Sequence, residues 1–212
     1  MLIYKFLIIR YLVLQKAKYC RKDLKLVKGM KDNMLSKEKT VFVLVDVQGK
    51  LARLMHESDE LIRNLENLIQ GLRILDVPII WLEQYPKGLG PTAEELSRHL
   101  PDQEAIAKMS FSACKDEEFM NALKRTGRQQ VLVAGIETHI CVYQTAAELK
   151  ELGYEVEVVA DAVSSRTLEN KEIGLEKLKS KGVTMTSVEM ALFELMEEAG
   201  GDKFKKVSKL IQ

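Results

Sequence analysis

Cysteine is scarce in this chain. Three occur in 212 residues, Cys20, Cys114 and Cys141, and no C-x-x-C spacing is present. An odd, widely spaced set excludes a disulfide framework and points to a reducing, cytoplasmic setting. Histidine is equally sparse: His56, His99 and His139 lie far apart without ligand spacing, so no metal is expected. The apolar stretch Leu2 to Leu14 is broken by Lys5 and Arg10 and is followed by no small-residue cleavage site. It falls short of the roughly 20 residues a spanning helix needs, so neither stable membrane insertion nor a cleaved signal is expected. Neither G-x-G-x-x-G nor G-x-x-x-x-G-K-[ST] occurs, and Gly88-Leu-Gly90 runs straight into Pro91. That excludes the usual phosphate cradles, and no cofactor is expected. Internal repeats and low-complexity segments are missing as well.

The net charge of +1 hides an asymmetry. Residues 1–39 hold 11 Lys/Arg and 3 Asp/Glu, a net +8, while the remainder holds 21 and 28, a net −7. The body carries no basic stripe, so nucleic acid is not an expected partner. Residues 1–38 stand apart as a basic, partly apolar N-terminal extension. They read either as a segment lying on a membrane surface or as the product of an upstream start codon, with the functional chain beginning at Met30 or Met34; the second reading is preferred. Residues 39–212 are long enough for one domain with a substantial core.

Within that domain strand and helix patterns alternate six times. Thr40 to Val45, Ile79 to Leu82 and Gln130 to Ala134 are short apolar, β-branched runs of the kind buried on both faces. Shorter strands are expected around Lys108, from Glu155 to Ala160 and from Val183 to Thr186. Between them Ser58 to Leu75 carries a 3.6-residue apolar stripe, and helical patterns recur from Thr92, Asp116, Thr138, Leu168 and Ser187. Tyr85 to Pro91 is expected to be a loop. The alternation predicts a three-layer α/β/α fold, a Rossmann-like six-stranded mostly parallel sheet. Right-handed crossovers then bring all strand C-terminal ends to one edge, where open α/β sheets bind ligands.

Three side chains converge on that edge. Asp46 ends the first strand, Lys108 ends a short one, and Cys141 follows the strand Gln130 to Ala134 across a turn. With Thr138 as N-cap, Cys141 is the third helical residue, where the helix dipole and Lys108 favour a thiolate. An acid, a lysine and a cysteine together can supply a base, a cation and a nucleophile. Each has a plainer reading: a strand-end carboxylate capping a turn, a solvated lysine, a cysteine packing a helix on the sheet.

Val-Asp46-Val-Gln48, Lys108 followed by Ser110-Phe111-Ser112, and Gly135-Ile-Glu-Thr138-His-Ile-Cys141 resemble the isochorismatase-like cysteine hydrolases. The similarity covers about residues 40–196, and Glu83-Gln-Tyr-Pro-Lys-Gly-Leu-Gly90 looks closest to the isochorismatase-domain proteins of unassigned substrate. The resemblance implies a catalytic triad of Asp46, Lys108 and Cys141, with Cys141 attacking the carbonyl of a small molecule, expected to be an amide, to give a thioester. It implies a cis peptide between Ile136 and Glu137 and an oxyanion hole from the N–H groups of Glu137 and Cys141. Gln48, Glu83, Gln84, Tyr85 and Phe111 are expected to line the pocket as substrate-binding residues. A homo-oligomer is implied by the same analogy. The acid–histidine metal set of the nicotinamidases is missing after the second strand, which holds Glu83 and Gln84. Two other functions stay open: a catalytically silent binding or interaction protein, and a redox-sensing thiol with Cys114 as partner of Cys141.

Overall fold

The computed structural model describes residues 34–211. The N-terminal extension, its apolar stretch and Cys20 therefore lie outside the described residues, apart from the last few positions of residues 1–38. A compact unit begins at Leu35. Its entry is tied down early: Leu35 N–H donates to Glu194 and Ser36 N–H to the Gln130 side chain.

Six strands form one parallel sheet: β1 (Thr40–Val45), β2 (Ile79–Gln84), β3 (Ile106–Lys108), β4 (Gln130–Ile136), β5 (Glu155–Ser164) and β6 (Thr184–Thr186), in the spatial order β3-β2-β1-β4-β5-β6. Strands β1 and β4 are buried at every position, which is why both are nearly unbroken apolar runs. The chain builds outward from β1 to β3 and then returns to place β4 on the other flank of β1. That reversal opens a crevice beyond the ends of β1 and β4. Gly135 makes the two central strands fit. Its φ is +121°, and a Cβ there would collide with the Val45 carbonyl.

Helices cover both faces. The short α1 (Gly49–Arg53) leads into α2 (Ser58–Ile74), whose buried stripe includes Leu61, Leu65, Leu68, Ile69 and Leu72. One-turn helices α3 (Pro86–Leu89) and α4 (Glu94–Ser97) follow β2. Then come α5 (Glu117–Thr126), α6 (Tyr143–Glu151), α7 (Leu168–Ser180), α8 (Val188–Met196) and α9 (Gly201–Ile211).

Several expectations are revised. Proline at its first turn gives the Tyr85–Pro91 loop a single helical turn, and the helix expected from Thr92 shrinks to α4. Strand β5 does not stop near Ala160 but runs four residues further, past a register shift opposite Val133 and Gly135. A further helix beyond the expected patterns, α9, takes in Lys203 to Lys209, buries Val207 and sets Phe204 edge-to-face with Phe193 at 6.4 Å.

Candidate active site

Asp46 immediately follows β1 in a left-handed conformation, φ 53°. Lys108 is the last residue of β3, two strands away, and its long stem crosses the end of β2 to reach the carboxylate. Nζ donates to Asp46 Oδ2 at 2.7 Å and to Gln84 Oε1 at 2.7 Å, with the carbonyls of Ser110 and Phe111 at 3.2 and 3.5 Å. Both charged side chains are almost sealed, 0% and 3% exposed. Burial of this kind is tolerable only for a charge that is paired and hydrogen-bonded. Asp46 Oδ1, also buried, has no hydrogen-bond partner.

Cys141 lies in a π turn, Thr138–Val142, that precedes α6. Thr138 is not the N-cap: Glu137 occupies that position without a side-chain cap, and Thr138 Oγ1 is buried with no partner. The expected thiolate is also overturned. Burial, and next the negative charge of Asp46, push the Cys141 thiol up to about 12, against the opposing pull of Lys108. Asp46 is itself raised above the usual carboxylate range by burial, with Lys108 working the other way. The thiol and the carboxylate thus act on each other at hydrogen-bonding range, while Asp46 Oδ1 makes no hydrogen bond of ordinary geometry. The result is a thiol, not a thiolate, beside a carboxylate with one uncommitted oxygen.

The peptide between Ile136 and Glu137 is cis. The Glu137 side chain turns to Arg166, accepting from its backbone N–H at 3.2 Å and from Nε at 3.1 Å. His139 Nδ1 lies 2.9 Å from Ser165 Oγ. The segment after β5 therefore clasps the turn that carries Cys141.

The five expected lining residues divide. Gln48 is fully buried and spends its amide on the backbone of Gln84 and on the Gly90 carbonyl, so it braces the strand ends rather than facing the crevice. Glu83 Oε1 accepts from Thr92 N–H and Oγ1 at 2.6 and 2.8 Å, which makes it a loop tie. Gln84 binds Lys108. Tyr85 and Phe111 are exposed on segments flanking Lys108, with the Tyr85 ring over Gly88. Cys114 is half-buried, its Sγ 3.8 Å from Thr145 O, and burial followed by the Glu148 charge pushes it up to about 12 as well. Among the described residues no group of three or more His, Cys, Asp or Glu could hold a metal ion.

Sequence reasoning missed Arg166. The signal that could have found it is Ser164-Ser165-Arg166 at the true end of β5, hidden when that strand is ended before Asp161. It also missed Glu148, which accepts from Ser112 Oγ at 2.6 Å and pairs with Lys115, tying the segment after β3 to α6. Nothing local in the sequence announces that tie.

A doubly covered parallel sheet with acid, lysine and cysteine side chains gathered at one edge of its strand ends defines a class, and comparison with known proteins gives it a family. Residues 40–190 match the model of the isochorismatase domain, and the chain belongs to the isochorismatase family. Isochorismatase domain-containing protein 2 of Danio rerio is 39% identical over 178 residues, covering 84% of this chain and 89% of that protein. A structure described as the MAR1 ribonuclease of Caenorhabditis elegans superimposes with a TM-score of 0.78 at 36% identity, over 84% of this chain and 92% of that one. The YcaC product of Escherichia coli, an octameric hydrolase of unknown specificity, gives 0.80 at 27% identity, over 84% and 89%.

Proposed function

We propose that this chain is a cysteine hydrolase that opens the C–N bond of a small amide through a thioester on Cys141. The observation that carries the reading is the divided Asp46 carboxylate: Oδ2 is bound to Lys108 and Oδ1 is uncommitted beside a protonated thiol. A thiol held at about 12 is a poor nucleophile at neutral pH unless its proton is removed as it attacks. Asp46 Oδ1 takes that proton as Sγ bonds to the carbonyl carbon. The carbonyl oxygen becomes an oxyanion that accepts from the N–H groups of Glu137 and Cys141. Collapse breaks the C–N bond, and the amine leaves with the proton from Asp46. Water then attacks the thioester, giving one proton to Asp46 and releasing the acid. That proton returns to Sγ as the C–S bond breaks. Lys108 keeps Asp46 oriented throughout.

A panel of small amides tests the reading. Wild-type protein is expected to turn over at least one member and to show an acyl mass on Cys141. Cys141→Ala is expected to keep its melting temperature and lose turnover. Full activity in Cys141→Ala overturns the reading.

The C. elegans relative's name favours one alternative, a ribonuclease. The net −7 of residues 40–212 argues against a surface for RNA, since backbone binding needs clustered cations. Cleavage of labelled RNA that survives Cys141→Ala is the result expected of that alternative. The redox alternative is weakened by Cys114 and Cys141 both being held at about 12, far from thiolate character at neutral pH. Free Cys114 and Cys141 suit a reducing cytoplasm. The octameric E. coli relative supports a homo-oligomer, which sedimentation measures.

A further inference from the structure

Gln84 stands directly across from Lys108 in the parallel register of β2 and β3. Its backbone is gripped from both sides by one side chain: its N–H donates to Gln48 Oε1 at 2.7 Å, and its carbonyl accepts from Gln48 Nε2 at 3.1 Å. Gln48 is fully buried and uses its Nε2 a second time on Gly90 O at 2.7 Å. The end of β2 is thereby held still. On that base the Gln84 amide has only one good orientation. Nε2 donates to Met109 O at 2.7 Å, which turns Oε1 onto Lys108 Nζ, also at 2.7 Å. A flipped amide would set two donors face to face and two carbonyl oxygens face to face.

The acceptors around Lys108 Nζ are thus one carboxylate, one amide and the backbone carbonyls of Ser110 and Phe111. Only Asp46 carries charge. The charged groups bearing on the thiol are Asp46, Lys108 and Glu137, and Glu83 bears on Asp46. A carboxylate at position 84 would draw the ammonium away from Asp46 and add a further anion beside the Asp46–Lys108 pair. An apolar residue there would remove one of the two 2.7 Å acceptors and leave the ammonium, beyond Asp46, only the longer contacts to Ser110 O and Phe111 O.

We propose that Gln84, braced by Gln48, is a positioning residue that holds the Lys108 ammonium on Asp46 while adding no further negative charge to the surroundings of Cys141. It takes its functional meaning from the cysteine-hydrolase reading, but it is tested on the thiol itself. Alkylation of Cys141 by iodoacetamide at about pH 9, followed by peptide mass, reports how readily the thiolate forms. Gln84→Glu is expected to slow it about tenfold, and Gln84→Met to slow it by less. A purely structural role gives the opposite sign, because a loosened core exposes the thiol and speeds alkylation. Rates unchanged or raised in both variants overturn the proposal. Hydrolysis retained in Cys141→Ala would remove the hydrolase reading and leave these rates as they are, so the two failures are distinct. If either variant does not fold, wild-type protein labelled with 15N-lysine decides. One protected ammonium signal near neutral pH, lost in Lys108→Met, is expected; its absence counts against a held ammonium.

Discussion

Lys108 Nζ lies 2.7 Å from Asp46 Oδ2 in a pocket that excludes solvent from both groups. Removing either partner leaves a buried charge without its counter-ion, which typically costs about 3–5 kcal/mol. Asp46→Asn and Lys108→Met are each expected to lose stability on that scale in urea unfolding. The double variant is expected to lose clearly less than the sum of the two. Additive losses would mean the pair is not coupled.

Cys141 should label slowly at neutral pH, because its thiol is held at about 12 by burial and by the Asp46 charge. Taking that charge away lowers the barrier to ionisation. Asp46→Asn is therefore expected to label several-fold faster than wild type at about pH 9 while losing hydrolysis. A labelling pH profile shifted to lower pH with its limiting rate unchanged marks the loss of the charge, whereas loss of a scaffold residue raises the rate at every pH. Labelling that falls together with hydrolysis would contradict the assigned role.

Glu157 on β5 is pushed up to about 7 by burial and by the charge of Glu194. Its folded value exceeds the ordinary 4.5, so the folded state binds the extra proton. The stability this provides is complete below the ordinary value and is lost as pH rises through about 7. Glu157 is partly exposed, so solvent screening reduces the effect to about 1 kcal/mol. Glu157→Gln is expected to melt higher than wild type at about pH 8 and to match it near about pH 4. Parallel melting curves for the two proteins across that range would remove Glu157 as the cause.

Gly135 is required by position, not by composition. At φ +121°, with the Val45 carbonyl where a Cβ would go, alanine must either strain β4 or part it from β1. Gly135→Ala is expected to cost more than about 2 kcal/mol and to disturb the Cys141 turn that follows. Thermal melting and the Cys141 alkylation rate measure the two effects. A fully stable Gly135→Ala protein would mean the strands tolerate a wider approach.

The sheet was legible because β1 and β4 are buried on both faces and so consist of β-branched apolar residues that helices avoid. The strand ends were legible for the same reason, and with them the positions of Asp46, Lys108 and Cys141. Asp161 misled the reading of β5: its carboxylate accepts the Val188 N–H at 2.9 Å inside a continuing strand, where a charge suggested a stop. In α9 the lysines at 203, 205, 206 and 209 obscured the stripe of Phe204, Val207 and Ile211. Gln48 and Glu83 were placed on the right edge, but their bonding partners are remote in the chain, and no local pattern encodes them. The protonation state of Cys141 failed for an energetic reason. The helix dipole acts over one turn and is worth about 1 kcal/mol, whereas burial and Asp46 both oppose the thiolate.

Glu137 and Arg166 supply the last test. The Glu137 carboxylate is nearly buried, 9% exposed, and accepts both the backbone N–H and Nε of Arg166. Arg166→Met removes Nε and leaves the carboxylate with the backbone bond alone, adjacent to the peptide proposed to stabilise the oxyanion. Because the guanidinium is itself more than half exposed, the coupling between the two side chains is expected to be about 1–2 kcal/mol in a double-mutant cycle with Glu137→Gln. Hydrolysis should fall further than stability, since a displaced Glu137 N–H weakens only the transition state and leaves the resting fold intact. A cycle that closes at zero, with turnover unchanged in Arg166→Met, would reduce the contact to surface packing and free Arg166 from any part in the site.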